Sequence, residues 1–249
     1  MDGISEVVNM ERIEVNHLVA KNFQASEALK TLRTNILFSG TDIKSIALTS
    51  NGANAGKSTI SFQLAASMAQ AGKRVLLLDV DLRNSVMFKR FRLNSNTNGL
   101  SHLLSGMATK EEIVHPTDVD NLFMVFAGPR VPNSAELLGG KLFSDLIVEL
   151  EKEYDYIFLD AAPLGQVIDC AVISPCIDGV LIVIDAIHNT YKLEQRVVAQ
   201  LQKAEAKILG VVLNRVDFKD KLGYYGKAYG YGYGYGYGYG YGYGEDNES

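Results

Sequence analysis

One stretch restricts the possible folds more than any other. An apolar run, Ser45-Ile46-Ala47-Leu48-Thr49, feeds a small polar turn, Ser50-Asn51-Gly52-Ala53-Asn54-Ala55-Gly56-Lys57-Ser58-Thr59. Ile60-Ser61-Phe62-Gln63-Leu64 follows with helical spacing. A strand, a glycine-bearing turn and a helix in this order make a phosphate-binding loop, in which backbone N–H groups and the positive helix end surround phosphate oxygens. Lys57 then reaches the β- and γ-phosphates, and the Ser58 hydroxyl is a Mg²⁺ ligand. The strict pattern G-x-x-x-x-G-K-[ST] is not met, because Asn stands at position 51. A strand–turn–helix with a chance Gly-Lys-Ser therefore stays open until the rest of the chain is read.

At 249 residues, 47% of them apolar, the chain can build a large α/β domain with appendages. A formal charge of −5 argues against a general nucleic-acid binder, which needs a basic face. The two cysteines, Cys170 and Cys176, are too few for a disulfide framework and lack zinc spacing. They read as small core hydrophobes in a reducing cytosol. His17, His102, His115 and His188 are scattered, so no metal cluster is expected. The N-terminus, Met1-Asp2-Gly3-Ile4-Ser5-Glu6, has no hydrophobic region. Apolar runs such as Val180–Ile184 fall far short of the roughly 20 residues that span a bilayer. The expectation is a soluble cytoplasmic chain that needs a partner for any membrane role.

Residues 1–22 read as an arm, 23–222 as the domain and 223–249 as a tail. A helix is predicted over Gln24–Phe38, with Ala28, Leu32, Ile36 and Leu37 on one stripe and Ser26 as a cap. Strands are predicted at Ile43–Thr49, Arg74–Asp79, Leu122–Val125, Tyr156–Leu159, Gly179–Ile184 and Ile208–Leu213. Helices are expected from the loop to about Ala71, and at Leu100–Leu104, Lys110–Val114, Ser134–Glu153, Val167–Ser174 and Tyr191–Glu205. The strands are near-continuous Val/Ile/Leu runs, as in parallel strands buried on both faces. This alternation makes a doubly wound, mostly parallel α/β/α domain, whose ligands bind outside the carboxyl ends of the strands.

Two strand ends carry carboxylates. Val75-Leu76-Leu77-Leu78 delivers Asp79-Val80-Asp81-Leu82-Arg83, with acids at i and i+2 on one side. They can share a Mg²⁺, or divide metal binding from proton abstraction. Tyr156-Ile157-Phe158-Leu159 delivers Asp160-Ala161-Ala162-Pro163, a carboxylate able to hold Mg²⁺ through water. An Asp after a strand is often only a turn or cap residue. Two such ends beside a Gly-Lys-Ser turn on one sheet edge favour the nucleotide reading.

These motifs together resemble the bacterial tyrosine kinases of capsule and exopolysaccharide systems. The loop Thr49–Thr59 matches that family's Walker A, Asp79–Arg83 its Walker A′ and Asp160–Pro163 its Walker B. Ala127-Gly128-Pro129 with Pro132-Asn133-Ser134-Ala135-Glu136-Leu137-Leu138 is similar to the family's next loop and helix. The resemblance implies ATP and Mg²⁺ as cofactors, with Asn54, Ala55, Gly56, Lys57, Ser58 and Thr59 around the phosphates. It implies that Asp79 and Asp160 hold Mg²⁺ directly or through water. Asp79 or Asp81 accepts the proton of a tyrosine hydroxyl, whose pKa of about 10 makes that help necessary. An Asn in the place of Asn214 contacts the adenine edge in related ATPases. Two departures stand out: Asn54-Ala55 replaces Gly-Glu, and Lys30 replaces the first Arg of the ring-assembly motif Glu27-x-x-Lys30-x-x-Arg33. Lys cannot make the bidentate carboxylate pair that Arg makes.

The tail alternates Gly with Tyr224, Tyr225, Tyr229, Tyr231, Tyr233, Tyr235, Tyr237, Tyr239, Tyr241 and Tyr243, then ends in acidic residues. Its composition cannot bury a core, so it reads as a flexible coil. By resemblance it is an autophosphorylation cluster used in trans within a ring-shaped homo-oligomer; otherwise it is a spacer. The family further implies a membrane adaptor whose cytoplasmic tail switches the kinase on, a cognate tyrosine phosphatase, and polysaccharide-synthesis enzymes as substrates. The chain would then lie at the inner face of the membrane through the adaptor. Two rivals remain: a partition- or division-type assembly ATPase, and a non-catalytic nucleotide-binding scaffold. The first carries an extra lysine five residues before the main one, where this chain has Gly52.

Overall fold

Ser45–Thr49 forms β1, buried at all five positions, because the chain lays strands on both sides of it and helices over both of its faces. The computed structural model describes residues 12–91, 97–188 and 190–216. Around β1 run β2 (Val75–Asp79), β3 (His115–Pro116), β4 (Leu122–Val125), β5 (Tyr156–Asp160), β6 (Gly179–Asp185) and β7 (Ile208–Asn214). The sheet order is β3-β4-β2-β5-β1-β6-β7. Every neighbouring pair is parallel except β3 with β4, a short antiparallel pair at one edge that the sequence did not signal.

The helices are α1 (Phe23–Phe38), α2 (Lys57–Gln70), α3 (Met87–Arg90), α4 (Leu100–Leu104), α5 (Lys110–Ile113), α6 (Ser134–Leu138), α7 (Lys141–Glu153), α8 (Asp169–Ile173) and α9 (Tyr191–Lys203). Strand alternation sorts the apolar residues into two cores. Leu76, Leu78, Ile157 and Leu159 pack with Phe143 and Leu146 of α7 and Val197 of α9. Val75, Leu77, Tyr156 and Phe158 pack on the other face with Phe62, Leu64 and Met68 of α2. Burying each such Leu or Phe is worth about 2 kcal/mol. The same alternation turns the next residues, Asp79 and Asp160, toward the α2 face.

Several local expectations change. The cap of α1 is Asn22, whose side chain accepts from the Gln24 N–H at 2.9 Å, so the helix starts before Ser26. The predicted Ser134–Glu153 helix is two, interrupted by Gly139-Gly140, where the backbone of Gly140 is extended. The predicted Val167–Ser174 helix shortens to α8 and passes into a 3-10 turn, Ser174–Cys176, around Pro175. Helix α3 lies in a segment read as loop. The arm is laced down over residues 12–22. Ile13 bridges Thr117, the Asp118 carboxylate accepts from the N–H groups of Val15 and Asn16, and Gln63 on α2 bonds both Leu18 and Ala20. Cys170 is buried and Cys176 half-buried, and both are free thiols. Among the described residues no helix is long and apolar enough to cross a membrane. The tail, with its ten tyrosines and the boundary at 222, lies outside the described residues.

Candidate active site

The loop between β1 and α2 closes through one left-handed residue pair. Gly56, with φ of 93°, is the N-cap of α2, and Asn54 has φ of 63°, the conformation that Asn tolerates. The departure at Asn54-Ala55 therefore leaves the turn intact. Asn51, where the strict motif has Gly, packs its backbone carbonyl against Gly165; a Cβ on Gly165 would stand 2.2 Å from that oxygen. Thr49 fastens the same two loops, donating to the Ala162 carbonyl at 2.9 Å and accepting from the Leu164 N–H at 3.1 Å.

Register brings the acids together. Asp79 of β2 pairs directly with Asp160 of β5, and Leu48 of β1 pairs with Asp160 on its other side. Both carboxylates are enclosed, Asp79 at 0% and Asp160 at 3% exposure. Burial first, and then the charge of Asp160, push Asp79 well above the usual carboxylate range, against the hydrogen bond from Ser85. Asp160 rises to about 6, mainly through burial, with the Lys57 ammonium and the Ser58 hydroxyl opposing the shift. Ser61 on α2 also donates to Asp160, at 3.3 Å.

A cavity of about 340 Å³ opens over this edge. Its wall includes Asn54, Gly56, Lys57, Ser58, Thr59, Asp81 and Asp160. Three predicted residues stand behind it. Asp79 does not line it, because its oxygens are occupied by the Ser85 hydroxyl and the Asp81 N–H. Ala55 is buried, and its carbonyl accepts from the Asn214 side chain at 2.9 Å. The Asn214 amide thus braces the loop, and Asn214 is not among the residues of the cavity wall. The assembly residues lie apart on α1. Glu27 and Lys30 form an exposed pair at 2.7 Å, whereas Arg33 turns inward to the Ser67 carbonyl of α2 at 2.9 Å. Arg33 thus directs one guanidinium nitrogen, Nη1, to α2 of its own subunit.

Mg²⁺ can be tested against this donor set. Among the described residues no group of three or more His, Cys, Asp or Glu side chains is disposed to hold a metal unaided. Ser58 and Asp160 nevertheless present only hard oxygen donors to one cavity. That suits Mg²⁺, which takes one or two carboxylates and completes its shell with water and substrate phosphates. A cation would also relieve the enclosed charge of Asp79 and Asp160.

Sequence reasoning missed several groups. Arg83 binds the buried Asp169 through two nitrogens at 3.0 and 3.3 Å, and Ser134 donates to the same carboxylate at 2.7 Å. Arg215 reaches the cavity from the end of β7, held by Asp185 at 2.6 Å. Arg90 reaches it from α3. Arg83 closes the quoted Asp79–Arg83 segment and Arg215 follows Asn214, so both could have been found there. Arg90 had no such signal, since four helical residues leave no periodicity to detect.

The comparisons agree with this geometry. A family model described as an AAA domain matches residues 43–212. The tyrosine-protein kinase CpsD of Streptococcus pneumoniae is 40% identical over 204 residues, covering 82% of this chain and 90% of that protein. The chain belongs to the bacterial tyrosine kinase family. CpsD of Streptococcus agalactiae is 36% identical over 218 residues, 87% of this kinase and 94% of the relative. Among solved structures, the chimerical protein CapA2B2 superposes with a TM-score of 0.76 at 30% identity, covering 83% of this kinase and 95% of that chain. The fold is that of a P-loop nucleotide-binding kinase domain, as expected.

Proposed function

We propose that this kinase transfers the γ-phosphoryl group of ATP to tyrosine hydroxyls, those of its own C-terminal cluster among them, and so regulates capsular or exopolysaccharide synthesis and export. The observation that carries the reading is the placement of Asp81. It lies on the cavity wall with Lys57, two residues beyond a carboxylate pair enclosed by strand register. Asp79 or Asp81 could be the base from sequence; burial favours Asp81, since Asp79 is enclosed and already bonded. The tyrosine oxygen attacks the γ-phosphorus, its proton passes to Asp81, and the bond to the β-γ bridging oxygen breaks to release ADP. Lys57 and the N–H groups around Gly56 hold the phosphates. Ser58 and Asp160, with Asp79 behind, are the residues that would hold Mg²⁺. The cation, when bound, supplies charge neutralisation on the phosphate oxygens.

The tail supports transfer in trans. As the coil its composition predicts, the 27 residues after Leu222 would have a root-mean-square reach of about 30 Å, enough to enter a neighbouring subunit's cavity. An adaptor with a cytoplasmic segment would bring the kinase to the membrane, and a tyrosine phosphatase would reverse its modification. Phosphosite mapping after incubation with ATP and Mg²⁺ tests the whole reading. Phosphotyrosine should appear in the tail and vanish in Lys57→Met; an unmodified wild-type chain, with adaptor segment supplied, would refute it. Mixing Lys57→Met with an active subunit that lacks its tail tests direction, and an unlabelled Lys57→Met chain would end the trans proposal.

A further inference from the structure

We propose that Arg90 contacts the phosphate chain of the bound nucleotide, a cation brought to the cavity from outside the three loop motifs. The inference rests on reading the cavity as the ATP site. Arg90 lies on the cavity wall, and its guanidinium donates to the Thr59 hydroxyl at 2.9 Å. Thr59 is in the first turn of α2, next to Ser58, so the guanidinium stands at the helix end that gathers phosphate oxygens.

Its position is built rather than incidental. Helix α3 is pinned at both ends. Met87 is 1% exposed, and Phe91, just past the helix, is 7% exposed. The Phe91 ring lies 5.3 Å from that of Phe62 on α2 and 6.0 Å from that of Phe126. At the other end Ser85 accepts from the Met87 N–H at 3.2 Å while donating to Asp79. A continuous strap thus runs from the β2 carboxylate, across α3, to the flank of the phosphate loop. Thr59 is a neutral partner and takes a single nitrogen, Nη1, of the guanidinium. The rest of the fork is suited to the paired oxygens of a phosphate. Arg83 and Arg215, the other arginines of the wall, are each held by a carboxylate, Asp169 and Asp185. Among the described residues, the side-chain partner of Arg90 is instead an uncharged hydroxyl.

Titration of the purified full chain with ADP and ATP in the presence of Mg²⁺ tests the assignment, with melting of the nucleotide-free variants as a folding control. Arg90→Gln should weaken both nucleotides by about tenfold, the scale of one charge-assisted hydrogen bond. Arg90→Lys, which keeps charge and length but loses the planar fork, should fall between. Unchanged ADP affinity in a folded Arg90→Gln would overturn the proposal. If that variant does not fold, Arg90→Lys decides, and wild-type affinity there counts against it. Lys57→Met separates the two readings. If Lys57→Met also leaves ADP binding intact, the cavity itself has been misread; if only the Arg90 variants bind normally, the cavity stands and the role of Arg90 falls.

Discussion

Asp79 and Asp81 are two residues apart, yet burial gives them different tasks. Asp79 is enclosed and bonded on both oxygens, while Asp81 reaches the cavity. Asp81→Asn should therefore lower phosphotransfer by about 10² or more with ADP affinity retained, as single-turnover assays and ADP titration would register. Asp79→Asn removes an enclosed acid whose ionised form is disfavoured by burial and by Asp160, so its melting temperature should hold or rise although transfer falls. A rate loss in Asp79→Asn alone would move the base to that position. His115 gives a separate pH dependence. Burial holds its pKa below the ordinary value, against the bond from its ring to the Asn98 carbonyl at 3.1 Å. The unfolded chain then binds the proton more readily, so stability is full above about 6.5 and declines as pH falls through that value. Urea melts between pH 7 and 5 should show this decline, and His115→Gln should flatten it.

The loops around the phosphate site act as one element because Gly165 lets the Walker B loop touch Asn51. A methyl there meets backbone, which cannot yield as a side-chain tip can. Gly165→Ala should cost about 1–3 kcal/mol and weaken ADP binding, seen in paired melts and titrations. Equal melting temperatures would show that the loops yield. How far such elements were legible depends on their length. The buried parallel strands and α2 announce themselves through Val/Ile/Leu runs and a glycine-bearing turn, and their carboxyl ends pointed to Lys57, Asp81 and Asp160. Helix α3 and strand β3 span four and two residues, too few for periodicity, and tertiary contacts decide them. The break at Gly139-Gly140 was misread because the apolar pattern continues from Leu138 to Phe143 across it. Nor can spacing tell that Arg33 turns inward while Lys30, three residues earlier, stays exposed.

Assembly is where the kinase as a whole would respond to its own chemistry. The exposed surface of α1 includes the Glu27–Lys30 pair and the rings of Phe23 and Phe38, at 77% and 83%. Each phosphate added to a tail tyrosine brings about −1.5 to −2 charges. Light scattering should report assemblies that shrink after ATP and Mg²⁺ are added, with Lys57→Met unaffected; particles of constant size would separate phosphorylation from assembly. The pairing of Asp79 with Asp160 has one more consequence. Neither acid is placed by a loop of its own; each is the last residue of a strand. A slip of one residue between β2 and β5 would turn Asp79 to the opposite face and put the Leu76 and Val75 sets into the wrong cores. Chemistry and hydrophobic packing therefore check the same alignment. A misregistered sheet would be both unstable and inert, so folding itself screens out molecules that could bind ATP without being able to use it.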